Sequence, residues 1–203
     1  MNEATRESEF ARLISLIKPC TMCNIPPPAY PVISENIRAK VMSVGESPGL
    51  IECREGRLFA GTAGKTLFAW LASVGIMEQE FRAGAHMTAV TKCYPSPDEK
   101  GRRETPRPHE ILNCAAYLVS ELRLVRPRVV IPIGQMALHR LLGPVKLTDA
   151  IGKVFERRYH SFDTLVVPLP HPSGRSAWVY MGENRKLLSA ALAHVGKLCR
   201  PLL

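Results

Sequence analysis

The chain has no run approaching the roughly 20 consecutive apolar residues that a membrane span requires. Its first residues, Met-Asn-Glu-Ala-Thr-Arg-Glu, lack the basic segment and apolar stretch of a secretion leader. The expectation is therefore a soluble, cytoplasmic protein with no membrane partner. Internal repeats and low-complexity segments are missing too, which removes solenoids and long disordered tails from consideration. Acidic residues are in deficit, with 18 Asp plus Glu against 27 Lys plus Arg and a formal charge of +9. That balance suits a polyanionic partner, because cations that neutralise phosphates release condensed counterions. A phosphate-binding loop is excluded by one residue. Gly61-Thr62-Ala63-Gly64-Lys65-Thr66 imitates the end of that motif, yet Phe59 stands where its first glycine must be.

What is present fits a single domain over residues 1–203, long enough to bury a core without disulfide staples. Six cysteines in a chain with no leader point to a metal or cluster rather than to disulfides, and Cys20 and Cys23 form a C-x-x-C pair. Apolar spacing predicts a helix over 8–18, ended by Pro19, and Pro26-Pro27-Pro28 must be a loop. Residues 1–30 thus read as an N-terminal helix followed by a cysteine-bearing segment. Apolar runs predict strands at 38–44, 86–92, 128–133 and 164–169, and helical periodicity appears over 64–75, 108–125, 135–142 and 183–198. This alternation implies an α/β fold in three αβα layers around a central, mostly parallel four-stranded sheet. Ligands of such folds bind outside the carboxyl ends of the strands, and the loops beginning at Gly45, Tyr94 and Pro170 follow three of those ends.

Several of these loops carry motifs in a recognisable order. Gly45-Glu46-Ser47-Pro48-Gly49-Leu50-Ile51-Glu52 continues into Gly56-Arg57-Leu58-Phe59-Ala60-Gly61-Thr62-Ala63-Gly64. Downstream stand Thr88-Ala89-Val90-Thr91-Lys92-Cys93-Tyr94-Pro95, Cys114-Ala115-Ala116-Tyr117-Leu118 and His171-Pro172-Ser173. Together they resemble the motifs of family 4 uracil-DNA glycosylases, the branch with an iron–sulfur cluster, and they span roughly residues 20 to 185. The resemblance implies a monomeric DNA-repair enzyme that removes uracil or another deaminated base by cleaving its N-glycosidic bond.

By the same resemblance Phe59 is the stacking face for the extruded base, and Gly45, Ser47 and position 89 border it. His171 donates a hydrogen bond to the base oxygen as negative charge develops there, and Glu46 positions the attacking water and stabilises the sugar cation. Ser173, Arg175 and Ser176 meet the DNA, while Trp178 either joins them or packs on the last helix. Arg102, Arg103 and Arg107 are further phosphate candidates. Cys20, Cys23, Cys93 and Cys114 correspond to the ligands of a [4Fe–4S] cluster; their spacing alone suits zinc equally well. Cys53 and Cys199 fall outside the pattern and read as buried thiols.

The departures concern the base edge. The family's asparagine is Ala89 here, and an alanine side chain offers no hydrogen bond. Cys53 replaces an aspartate and Ser47 an alanine. The expected substrate therefore widens to other deaminated bases such as hypoxanthine or xanthine. Ala89 also motivates a rival reading, a DNA-binding member of the fold that has lost excision.

Overall fold

A computed structural model of the chain describes residues 2–27, 30–95, 105–173 and 177–203. Its sheet has five strands in the order β2-β1-β3-β5-β4, with β1 at Val41–Gly45, β2 at Ala85–Ala89, β3 at Val129–Pro132, β4 at Phe155–Tyr159 and β5 at Phe162–Val166. β1 pairs in parallel with β2 and β3, and β3 with β5; among the described residues only the β4–β5 pairing is antiparallel. The fifth strand corrects the four-stranded expectation. β4 reads Phe-Glu-Arg-Arg-Tyr, an exposed edge whose charged centre hides the alternation of a half-buried strand. It is held by a tight turn through His160, whose φ of 52° lies in the left-handed region.

Every residue of β1, β2 and β3 is buried, so these strands are apolar on both faces, as in a parallel sheet covered by helices. Alternation still sorts the side chains. Val41, Met87, Ala89, Val129 and Ile131 face a core completed by Leu67, Phe68 and Leu71 of α3 (Thr62–Ala72), Phe81 of α4 (Glu78–Gly84) and Leu188 to Cys199 of α8 (Asn184–Cys199). Met42, Val44, Val130 and Val166 face the other way, toward Leu118 and Leu122 of α5 (Pro108–Val125) and Ala137 and Leu141 of α6 (Gln135–Leu142). The N-terminal helix α1 (Glu3–Ile17) packs Phe10, Leu13, Ile14 and Ile17 against Leu124 and Val125, which brings the following Cys20–Cys23 segment to α5. Three short helices were not expected: α2 (Leu50–Glu55), α4 and α7 (Leu147–Ala150) are each under two turns and carry one buried side chain apiece. Among the described residues no helix is long and apolar enough to cross a membrane.

Between β2 and α5 lies a charged network with no access to solvent. Lys92 Nζ meets Glu121 Oε2 at 2.6 Å, Thr88 Oγ1 donates to both Glu121 oxygens at 3.0 and 3.1 Å, and His86 Nε2 approaches Oε1 at 3.4 Å. Burial by itself would push the Glu121 carboxyl up, but the Lys92 ammonium and His86 more than reverse this and hold it at about 2. The folded value lies below the ordinary 4.5, so the carboxylate contributes its full stabilisation above about pH 4.5 and loses it as the pH falls toward 2. Neutralising the pair in Lys92→Met/Glu121→Gln should flatten the fall of stability across that window. Denaturant midpoints measured at steps through it check this; an unchanged slope would mean other carboxylates govern acid unfolding.

Candidate active site

The carboxyl end of β1 is the first fixed point. Gly45 ends the strand, and its carbonyl and that of Glu46 accept the amides of Val90 and Thr91 at 2.9 and 3.1 Å, so the Glu46 backbone is stitched to the extension of β2. The turn then runs into α2, where Glu52 reaches back. Its Oε2 accepts the Gly49 amide at 3.0 Å and its Oε1 the Gly61 amide at 2.9 Å. One carboxylate thereby ties the turn carrying Glu46 to the loop carrying Phe59. This role was not foreseen, although Glu52 lay inside the quoted motif.

Phe59 itself sits at φ 54°, a left-handed conformation that costs a bulky residue of the order of 1–3 kcal/mol and persists only when its surroundings enforce it. Two neighbours do so. Arg82 of α4 donates to the carbonyls of Leu58 and Phe59, both at 2.9 Å, while stacking on the Phe68 ring at 4.4 Å. Gly64 lets the Phe59 carbonyl approach so closely that a Cβ there would lie 1.8 Å from its oxygen. The Phe59 ring rests over Gly45, whose missing side chain makes that approach possible: a Cβ would stand 3.2 Å from Phe59 Cζ.

On the opposite side the chain leaves β5 and forms a parallel bridge between Ile133 and Leu169 before reaching His171. Gly134, at φ +92°, admits the imidazole, since a Cβ would stand 3.3 Å from His171 Cβ and Cδ2. The Ser173 amide donates to His171 Nδ1 at 3.2 Å. A nitrogen that accepts carries no proton, so the ring proton of neutral His171 is on Nε2, where it can be donated.

These pieces meet in one cleft of about 510 Å³ lined by Gly45, Glu46, Ser47, Glu52, Phe59, Ala89, Tyr94, His171 and Ser173, among others. All the expected catalytic and base-bordering residues are therefore together, with Ser173 at their side. Arg175 and Ser176, and likewise Arg102 and Arg103, lie outside the described residues. Arg107 stands at the start of α5, its amide donating to Glu110 at 2.8 Å. Trp178 is half-buried against the core, and its carbonyl accepts from Asn184 at 2.8 Å, which favours the packing role. Ala89, the departure noted in the sequence, lines the cleft and is fully buried.

A second cavity, of about 310 Å³, is lined by Cys20, Cys23, Cys93 and Cys114 together with Lys92, Asn113 and Tyr117. Asn113 Nδ2 donates to Cys23 Sγ at 3.4 Å. Burial, reinforced by the neighbouring cysteine sulfurs, pushes the Cys93 thiol up to about 12, and burial also raises that of Cys114. Among the described residues no three His, Cys, Asp or Glu side chains converge on a single ion. The four cysteines nonetheless line one cavity, and four thiolates suit a zinc ion or a [4Fe–4S] cluster alike. Cys53 and Cys199 are buried in the main core, as expected.

Comparison with known proteins agrees with this arrangement. The model of a family described as the uracil DNA glycosylase superfamily matches residues 33–196. A type-4 uracil-DNA glycosylase of Archaeoglobus fulgidus is 31% identical over 169 residues, covering 81% of this chain and 79% of that protein. One from Pyrobaculum aerophilum is 32% identical, covering 81% and 83%. One from Thermotoga maritima is 30% identical, covering 89% and 87%.

Proposed function

Because the chain belongs to the uracil DNA glycosylase superfamily, we propose that it excises a deaminated base from DNA by hydrolysing the N-glycosidic bond. The observation that carries this reading is the convergence of Glu46, Phe59 and His171 on one cleft at the carboxyl ends of parallel strands. A base swung out of the stack lies on the Phe59 ring. As the C1′–N bond breaks, its electron pair passes to the base, and the Nε2 proton of His171 hydrogen-bonds the base oxygen where that charge accumulates. The Glu46 carboxylate stabilises the cationic sugar, orients a water toward C1′ and takes its proton, leaving an abasic sugar. Ser173, Arg175 and Ser176 hold the flanking phosphates.

Ala89 removes side-chain reading of the base edge at that position, so recognition falls to the other groups that line the cleft. A substrate range extending beyond uracil to hypoxanthine or xanthine follows from that. Cys20, Cys23, Cys93 and Cys114 would hold a [4Fe–4S] cluster, for which their four sulfurs and the cavity between them are suited. Its contribution when bound is to cross-link the segment after α1, the loop after β2 and α5, with no part in bond cleavage.

Purified protein incubated with oligonucleotides containing uracil, hypoxanthine or xanthine, followed by alkali, should yield strand breaks at one or more of these bases. Breaks at none of them would reject the enzyme in favour of a non-catalytic DNA-binding protein, the reading that Ala89 favours. The same preparation should be brown, with a broad band near roughly 400 nm from iron-bound thiolates, and Cys93→Ser should abolish that band. A colourless protein containing zinc would overturn the cluster assignment.

A further inference from the structure

The segment that carries Cys20 and Cys23 has little backbone to hold it. Residues 20–27 belong to no helix or strand. Among the described residues their backbone bonds are local: the Cys20 amide donates to the Ile17 carbonyl at 3.0 Å, and the Asn24 amide to that of Thr21 at 2.9 Å. The second bond closes a turn in which Asn24 takes φ 49°, a conformation that asparagine tolerates better than most residues. Pro26 and Pro27 have no amide to offer. Half of the cysteine set therefore sits on a piece of chain that secondary structure does not fix.

What meets this piece is one face of α5. Asn113 and Tyr117 are four residues apart, which stacks their side chains one turn above the other, about 5–6 Å apart, with Cys114 beside them. All three line the cysteine cavity. Asn113 Nδ2 donates to Cys23 Sγ at 3.4 Å, and the Tyr117 hydroxyl hydrogen-bonds the Cys20 sulfur. The Tyr117 ring packs against the apolar cluster that joins α1 to α5, so the donor is aimed by the same contacts that place the segment after α1. Two donors one helical turn apart thus match two sulfurs three residues apart. A neutral thiol is a weak acceptor, whereas a thiolate accepts a charge-assisted bond. The value of these donors is therefore realised when Cys20 and Cys23 give up their protons to bind a metal.

We propose that Asn113 and Tyr117 are positioning residues for the metal group: they hold Cys23 and Cys20 against α5 before loading and share the thiolates' charge afterwards, and so set how firmly the group is retained. This rests on the reading of Cys20, Cys23, Cys93 and Cys114 as its ligands. Partners of this kind around a ligand shell are worth about 10–100-fold in metal affinity. For an iron–sulfur cluster, hydrogen bonds to the sulfurs also set the reduction potential, because the more negative, reduced form gains most from them.

The test uses the full-length, metal-loaded protein. Tyr117→Phe removes one oxygen and keeps the ring, Asn113→Leu keeps the volume and removes the donor, and Asn113→Gln restores a donor. Leu112→Ala, at an exposed site on the same helix, is the control. Release to excess EDTA is followed by metal analysis and by the absorbance near roughly 400 nm, and the midpoint potential by dye-mediated titration. Tyr117→Phe and Asn113→Leu should each release metal about tenfold faster than wild type, with Asn113→Gln recovering most of the difference and Leu112→Ala unchanged. The first two should also titrate at a more negative potential, a shift that lost packing would not give in an intact cluster. Release within twofold of wild type in both variants overturns the proposal. Faster release with an unchanged potential and no recovery in Asn113→Gln overturns it as well, because the side chains would then only fill space. If the wild type carries zinc, zinc release and its recovery in Asn113→Gln decide in the same way. A wild type that retains neither iron nor zinc after reconstitution refutes the metal site itself, a failure distinct from that of the two donors.

Discussion

Replacing His171 by alanine should slow single-turnover excision by about 10²–10³-fold, the usual effect of deleting one preorganised donor to a developing anion. The affinity for lesion-containing DNA should stay within a few-fold, because in the proposed mechanism the imidazole serves the leaving base rather than the phosphates. The expected size follows from the way the ring is held. The Ser173 amide occupies Nδ1 and Gly134 gives the ring its seat, so the orientation of the imidazole is set before charge appears. Glu46→Ala should cost about 10²–10⁴-fold for the water-activating carboxylate. Glu46→Gln separates its two tasks, since an amide still orients water but neither takes its proton nor stabilises a sugar cation. A His171→Ala enzyme that excises within twofold of wild type would show that leaving-group stabilisation resides elsewhere in the cleft.

The sheet was legible where burial on both faces produced unbroken apolar runs, as at Val41 to Val44 and Val129 to Ile133, and α5 where apolar spacing persisted through Leu118, Leu122 and Val125. β4 was not, because an exposed edge strand is built from charges that read as loop. α2 and α4 were missed because six or seven residues are too few for a helical period to appear above chance. In the cleft, Glu46, Phe59 and His171 were legible as members of ordered motifs. Arg82 was invisible for a physical reason. It pairs with Glu78 one turn earlier at 2.8 Å, the pattern of an ordinary solvated helix face, while its decisive bonds run to carbonyls 23 and 24 residues away. Glu121 left a trace that sequence reasoning passed over: it sits with Leu118 and Leu122 on the apolar face of α5, where an unpaired carboxylate would be costly. A charge at such a position requires a buried partner, and Lys92 at the end of a buried strand segment was the available one.

Gly64→Ala should be the most damaging conservative change in the molecule that touches none of the reacting groups. Alanine is favoured over glycine within a helix by about 1 kcal/mol, so local propensity alone predicts stabilisation of α3. Sterics oppose it. The new Cβ would lie 1.8 Å from the Phe59 carbonyl oxygen and 2.5 Å from its carbon, and the obstacle is backbone, which cannot swing aside as a flexible side chain does. That carbonyl is also the acceptor for Arg82, so the strain is relieved only by pushing Phe59 out of its left-handed conformation and breaking the clamp. Overpacking of this kind costs about 1–3 kcal/mol. In a protein of this length that lowers Tm by a few degrees, roughly 2–4 °C per kcal/mol, once the helix gain is subtracted. The functional effect should exceed the thermal one. In the proposed mechanism, displacing the Phe59 ring from Gly45 by about 1 Å removes the face against which the base is aligned, and misplacement on that scale costs about 10²-fold in rate. Gly182→Ala is the matched control, with no atom of the described residues within 4 Å of the added methyl and no positive φ, and should leave Tm and excision unchanged. Equal excision by the two variants would mean that the ring of Phe59 is not the surface on which the base rests.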